Sequence, residues 1–126
     1  MLNSEQQQFL RKTLGQLINQ YEEYISTLSF FSLFKRSEYN SFIARFKSLL
    51  IKLNDNEDIL EKMSLGEVAT LRNIAMERAR NIKKTINYEQ DSNLFAEITI
   101  ARKCIIQLSK ELEEIDNAQE SGVQPY

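Results

Sequence analysis

The segment Met63-Ser64-Leu65-Gly66-Glu67-Val68 decides where the third of four predicted helices begins. Ser64 followed three residues later by Glu67 forms a capping box, in which each side chain accepts a hydrogen bond from the backbone N–H of the other residue. Met63 before the cap and Val68 after it form the hydrophobic staple that fixes the direction in which the chain enters a helix. The sequence therefore predicts a helix that starts at this box.

Apolar residues recur every three or four positions after the box, which is the spacing of one face of an α-helix. The first stripe predicts helix three and consists of Val68, Leu71, Ala75, Ala79, Ile82 and Ile86. The polar residues 87–93 then interrupt the pattern. A further stripe predicts helix four and consists of Leu94, Ile98, Ala101, Ile105, Leu108, Leu112 and Ile115.

Two more stripes precede the box. Helix one is predicted to begin at a capping box formed by Ser4 and Gln7 and to run for about 28 residues. Its apolar face consists of Leu10, Leu14, Leu17, Tyr21, Tyr24, Leu28 and Phe31. Helix two is predicted over residues 37–53, with Ser37 as its N-cap and with Asn54-Asp55-Asn56 as its end.

Short polar connections between four helices predict an all-α, antiparallel, up-down-up-down bundle, because short links make consecutive helices run in opposite directions. We expect one helical domain over residues 1–120 and a flexible C-terminal tail over residues 121–126, marked by Gly122 and Pro125. Helices one and four are longer than helix two, so their apolar stripes are expected to overhang it. Exposed apolar surface of this kind predicts a homodimer.

The composition excludes several classes of function. The 126 residues include 18 acidic and 16 basic residues, for a net charge of −2, which argues against a general polyanion binder of the histone type. The chain contains no histidine, so a histidine-based catalytic triad, zinc site or proton relay cannot be built. The acidic residues 55–58 lack the central glycine of a calcium loop, and three scattered glycines cannot form a phosphate-binding loop. We therefore expect no enzyme activity, no cofactor and no metal.

A single cysteine, Cys104, lies beside the apolar face of predicted helix four. Free cysteine is among the most buried residue types, so we expect it to act as a small hydrophobic residue of the core. Because it can form no internal disulfide, the sequence favours a reducing compartment, and we expect a cytoplasmic protein. Residues 1–10 do not have the pattern of a signal peptide, and no apolar run approaches the length of a membrane-spanning segment.

The most unusual segment is Ser29-Phe30-Phe31-Ser32-Leu33-Phe34-Lys35-Arg36, which has four large apolar residues within five positions. It falls at the end of the predicted bundle that also collects Lys83 and Lys84. Two interpretations stay open: the apolar residues close the end of the core, or they form an exposed aromatic tip ringed by cations. The candidates for partner binding are Phe30, Phe31, Phe34, Lys35, Arg36, Lys83 and Lys84.

These observations predict a non-enzymatic protein–protein interaction module, a small regulatory inhibitor, adaptor or immunity-like factor that binds another protein. One alternative is nucleic-acid binding through Arg72, Arg80, Lys83 and Lys84, which share an arc of predicted helix three. The negative net charge and the lack of interleaved aromatic residues argue against it. The other alternative is peripheral contact of the aromatic tip with an anionic membrane surface.

Overall fold

A computed structural model describes residues 2–53 and 63–122, with side chains through residue 117. Within these ranges the protein is entirely helical and contains no strand. The helices are α1 (Ser4–Thr27), α2 (Leu33–Leu53), α3 (Leu65–Lys83) and α4 (Ser92–Gly122), and a short 3₁₀ helix over Tyr88–Gln90 precedes α4. The prediction of an all-α fold with four helices is confirmed.

The capping box that begins α3 is present as predicted. The Ser64 hydroxyl accepts a hydrogen bond from the Glu67 backbone N–H at 3.2 Å, and the Ser64 backbone N–H donates to the Glu67 carboxylate at 3.1 Å. Lys52, in the last turn of α2, donates to the same carboxylate, and this hydrogen bond holds the pKa of Glu67 below its usual range. The box therefore also joins the end of α2 to the start of α3.

The capping box of α1 lies one residue earlier than predicted. The Asn3 side chain accepts from the Gln6 backbone N–H at 2.9 Å, and the Asn3 backbone N–H donates to the Gln6 side chain at 3.0 Å. Ser4 is the first helical residue and not the cap. The correction has a simple reason: the Asn3–Gln6 pair has the same spacing as Ser4 and Gln7, and asparagine is at least as good an N-cap as serine.

The connection between α1 and α2 was also predicted wrongly. Helix α1 ends at Thr27 because Leu28 is extended, whereas the apolar stripe had extended it to Phe31. Helix α2 begins at Leu33 and not after Ser37, because the Ser32 carbonyl already accepts a hydrogen bond from the Arg36 backbone N–H at 3.1 Å. Apolar periodicity alone could not reveal this, because apolar residues continue without a break through the turn.

The connection between α3 and α4 contains a second correction. Ile86 was predicted on the buried face of helix three, but α3 ends at Lys83 and the Ile86 side chain is 87% exposed. Asn87 follows in the left-handed conformation, which reverses the chain and is tolerated by asparagine. Helix α4 begins at Ser92, two residues before the predicted Leu94, because the Asp91 side chain accepts hydrogen bonds from the next turn's backbone N–H groups.

The helices share one hydrophobic core. Helix α3 packs most extensively on α4 and α1 on α2, while α1 also contacts α3 and α4. The most completely buried side chains are Leu10, Leu14, Leu49, Leu53, Val68, Leu71, Ile82, Ile98, Cys104 and Leu108. Cys104 is fully buried, which confirms the expectation of a small hydrophobic residue of the core, and burial raises the pKa of its thiol to about 12.

Polar contacts connect the helices outside the core. The Arg11 guanidinium of α1 donates to the Leu53 carbonyl at the end of α2 at 3.1 Å. The Arg78 guanidinium of α3 donates to both carboxylate oxygens of Glu97 in α4. These hydrogen bonds raise the pKa of Arg78 and lower that of Glu97, so the pair stays ionised. Such two-pronged bonds fix orientation as well as contributing energy.

Three predictions fall partly or wholly outside the described residues. These are the end of helix two at Asn54-Asp55-Asn56, the acidic residues 55–58 and the C-terminal tail. Of the predicted tail only residues 121–122 are described, and they form the end of α4.

The predicted overhang of α1 is reduced, because α1 has 24 residues rather than about 28. Within 2–53 and 63–122, no helix combines the length and the apolar character needed to cross a membrane.

Replacing Ser64 by alanine is expected to lower the free energy of unfolding by about 1 kcal/mol, because the first turn of α3 loses its cap. Ser37 provides a matched control, since it is exposed and lies inside α2. Ser37→Ala should change stability by less than about 0.5 kcal/mol. Urea unfolding followed by circular dichroism measures both values, and an equal cost for the two substitutions would contradict the assigned helix starts.

Candidate functional site: the aromatic tip

The candidate site is the turn between α1 and α2, and we call its apolar side chains Phe30, Phe31, Leu33 and Phe34 the aromatic tip. The turn is closed by a hydrogen bond from the Ser32 backbone N–H to the Ser29 carbonyl at 3.0 Å. The hydroxyl groups of the same two serines lie 3.1 Å apart. Phe30 and Phe31 are therefore the two central residues of a hydrogen-bonded turn. Their side chains are held at the end of the helix pair.

The tip side chains are exposed to solvent. The exposed fraction is 82% for Phe30, 90% for Phe31, 65% for Leu33 and 93% for Phe34. The rings of Phe30 and Phe31 meet edge to face, with their centroids 5.8 Å apart. The interpretation that these residues close the end of the core is therefore wrong. The physical reason is that α1 ends at Thr27, so the following residues leave the buried face before Phe30 is reached.

Two cations follow the tip immediately in α2. Lys35 is exposed and Arg36 is half-buried, and neither forms an ion pair with another described residue. The first turn of α2 contains no acidic residue. Large apolar side chains thus lie next to two positive charges, and Glu38, the nearest acidic residue along α2, forms no ion pair with either of them.

The other two predicted candidates, Lys83 and Lys84, lie in the α3–α4 connection. Both are exposed, and Lys84 caps α3 through its backbone N–H. Positive charge at this position complements the dipole of a helix C-terminus. Among the described residues, no hydrogen bond, ion pair or ring contact joins them to the aromatic tip. The structure brings together the five candidates of residues 30–36 but shows no contact between them and this lysine pair.

The basic arc of predicted helix three is not a uniform exposed surface. Arg72 is half-buried and lies beside Ser109, Glu113 and Asp116 of α4. The Arg80 guanidinium donates to the Glu77 carboxylate at 2.7 Å. Across the residues that the structure describes, no group of three or more cysteine, aspartate or glutamate side chains is placed to hold a metal ion.

Sequence analysis missed a second aromatic site, a groove between α2 and α3 with a volume of about 480 Å³. Its apolar lining, which we call the groove floor, consists of Leu17, Tyr21, Phe42, Phe46 and Ile74. Tyr21 packs against the Phe42 and Phe46 rings at centroid distances of 5.5 and 5.9 Å. Leu17 and Tyr21 belong to the predicted apolar stripe of helix one, Ile74 was in no predicted stripe, and no sequence signal shows which two helices stand apart.

Replacing Phe34 by alanine is expected to lower the free energy of unfolding by less than about 1 kcal/mol, because an exposed side chain loses little burial. Phe9 is the matched control, since it is 6% exposed in the core. Phe9→Ala should cost about 3–5 kcal/mol. A cost of that size for Phe34→Ala in urea unfolding would show that the side chain belongs to the core.

Comparison with known proteins provides no relative from which a function could be transferred to this site: no protein-family model matches the chain, and neither does any curated protein or solved structure. The function of the tip must therefore be argued from the exposure, charge and backbone geometry of its own residues.

Proposed function

We propose that this chain is a non-enzymatic protein–protein interaction module that acts as an adaptor or inhibitor and binds its partner through the aromatic tip. The observation that carries the proposal is the nearly complete exposure of Phe30, Phe31 and Phe34 on a turn that is closed by its own hydrogen bonds. Interface anchors are typically large, rigid side chains that become buried on binding.

The free energy gained by burying the apolar side chains of the tip favours binding to a partner over leaving them exposed to water. Burying one large apolar side chain is worth roughly 1.5–3 kcal/mol, and the tip offers four of them next to one another. The closed turn restricts their backbone before binding, so less conformational entropy is lost when the complex forms. The expected partner surface is an apolar cleft that accepts two or three aromatic rings.

The charged residues next to the aromatic tip indicate what kind of residues surround the partner's cleft. Lys35 and Arg36 lie beside the apolar side chains and have no described acidic partner. Positive charges at the edge of an interface act mainly on the rate of encounter with a negatively charged surface. We therefore expect acidic residues around the partner's cleft.

We infer that the helices are arranged as an antiparallel bundle. Arg11, near the start of α1, contacts the last residue of α2, and Tyr21, near the end of α1, packs on Tyr39 in the first half of α2. Arg78, late in α3, pairs with Glu97, early in α4. Both sets of contacts support helices that run in opposite directions within each pair. In this arrangement the aromatic tip and the α3–α4 connection lie at the same end.

The proposal of a non-enzymatic, cytoplasmic role rests on residue chemistry. The chain has no histidine, and its only cysteine is buried with a raised pKa, which removes the two commonest sources of a nucleophile or general base near neutral pH. A single buried thiol without a disulfide partner is typical of reducing compartments.

Phe34→Ala is expected to weaken partner binding at least tenfold while leaving the fold intact, because an anchor residue contributes about 2 kcal/mol or more to binding. Proteins retained by the immobilised wild-type chain are purified, and their affinities for the wild type and for each variant are measured by biolayer interferometry. Phe95→Ala is the matched control, since Phe95 is a half-exposed phenylalanine on α4. Equal affinity of all three chains for every purified hit would contradict the proposal.

The same variants distinguish a protein partner from a membrane. Lys35→Glu with Arg36→Glu should slow association with the purified partner, whereas Arg102→Glu with Lys103→Glu on α4 should not. Flotation with vesicles of phosphatidylglycerol forms the second arm. Tip-dependent binding to these vesicles, without any tip-dependent protein partner, would overturn the proposal in favour of an anionic membrane surface.

We also propose that the chain forms a homodimer, since apolar surface remains outside the tip. Ile51 on α2 and Ile106 on α4 are both largely exposed. Light scattering is expected to give the mass of two chains at micromolar concentration, and Phe34→Ala should leave that mass unchanged. The mass of one chain up to about 100 μM would contradict the dimer, because an interface of standard size binds more tightly than that.

A further inference from the structure

We propose that the groove between α2 and α3 is a binding site for a small amphipathic carboxylate, whose apolar body lies on the groove floor and whose carboxylate is held by Arg45. The site is separate from the aromatic tip and does not depend on the function proposed for it. None of the groove residues was a predicted candidate for binding.

The groove exists because of the way the helices pair. Helix α2 packs mainly on α1 and has little direct contact with α3, so the two stand apart above α1. The ion pair between Lys52 and Glu67 joins them one turn before the lining residues of α3 begin at Thr70. The lined stretch of α1 runs from Thr13 to Tyr21, which is about 12 Å of helix at 1.5 Å per residue. A volume of about 480 Å³ is within the range of small-molecule sites.

The groove floor is an apolar surface whose side chains are packed against the core, unlike the exposed side chains of the aromatic tip. Phe46 and Ile74 are buried, and Tyr21, Phe42 and Leu17 are half-buried and pack against the core. Their exposed edges therefore form a fixed surface rather than freely moving side chains. An aromatic or aliphatic body placed on it loses water contact on one side without displacing the core.

The walls supply positive charge. Arg45 lines the groove from α2 and forms no ion pair or hydrogen bond with another described residue. Arg78 lines it from α3, and its bonds to Glu97 use Nε and Nη2 and leave Nη1 without a described acceptor. Among the described residues of the lining, Glu77 is the only acidic one, and its carboxylate accepts from Arg80.

This charge pattern selects the ligand. A guanidinium binds a carboxylate through two parallel hydrogen bonds, which fixes the ligand's orientation as well as its charge. The remaining polar lining consists of neutral amides and hydroxyls, namely Thr13, Gln16, Gln20, Thr70, Asn73 and Asn81. A cationic ligand would be repelled by Arg45 and Arg78, and a purely apolar ligand would gain no charge-assisted hydrogen bond from Arg45, which is exposed. A long peptide helix would extend past the short lined stretch and toward the Lys52–Glu67 ion pair.

Octanoate and octan-1-ol are matched probes, because they share an alkyl chain and differ at the polar end. Isothermal titration calorimetry on the full chain is expected to show saturable binding of octanoate, about fivefold or more tighter than that of octan-1-ol. Arg45→Gln should remove most of this preference by weakening octanoate alone. Arg102→Gln, the same change at an exposed arginine of α4, should leave both affinities unchanged.

A blocking variant tests the place of binding without disturbing the core. Asn73 is exposed and lines the groove, so Asn73→Trp should fill the site and abolish octanoate binding while the circular dichroism spectrum stays unchanged. Phe34→Ala should bind octanoate like the wild type, because the tip is not involved. The inference is overturned by absence of saturable octanoate binding up to about 5 mM, by equal affinity of the Arg45→Gln variant, or by binding that Phe34→Ala abolishes.

Discussion

The closed turn between α1 and α2 is the constraint on which both sites depend. The extended conformation of Leu28 stops α1, and the Ser32 carbonyl, by accepting the Arg36 N–H, starts α2. Only residues 28–32 lie between the two helices. Side chains at the centre of so short a connection point away from both helices and cannot fold back onto the core. The exposure of Phe30 and Phe31 is therefore a result of backbone geometry, and the same reversal lays α2 along α1 to form one wall of the groove.

Burial is distributed unevenly along this helix pair. All the buried residues of α1 lie between Gln6 and Ile18, and those of α2 lie between Ile43 and Leu53. Toward the tip, the second half of α1 and the first half of α2 bury one another only partly, through a cluster of aromatic rings centred on Tyr21. In α1 and α2 the buried residues thus lie toward the end where α3 begins, whereas α3 and α4 are buried as far as Ile82 and Ile98. The tip extends from a folded base, so surface changes there need not disturb global stability.

The features that could be predicted from the sequence are those fixed by local interactions. The Ser64–Glu67 box needs only four residues to form, and the spacing of the stripes follows from the helix period alone. The boundaries around the tip could not be predicted, because Leu28 and Phe31 continue the apolar spacing of α1 beyond the residue at which its backbone stops. The tip residues could be named but their exposure could not, since exposure depends on where the helix ends. The groove depends on which helices stand apart, and this is a property of the assembled fold.

The tip and the groove are connected through α2. Phe34 and Phe42 lie eight residues apart on this helix, or about 12 Å. Helix α2 is held to α1 by packing along its length, but to α3 mainly at its end, through Lys52 and Glu67. A ligand that touches α1, α2 and α3 together would add contacts between α2 and α3, which have little direct contact of their own. Because coupling between two sites is reciprocal, any effect of such a ligand on binding at the tip would equal the effect of the tip's partner on binding in the groove. The size of that effect is limited by how strongly each ligand discriminates between positions of α2, since a ligand that binds all positions equally shifts none of them.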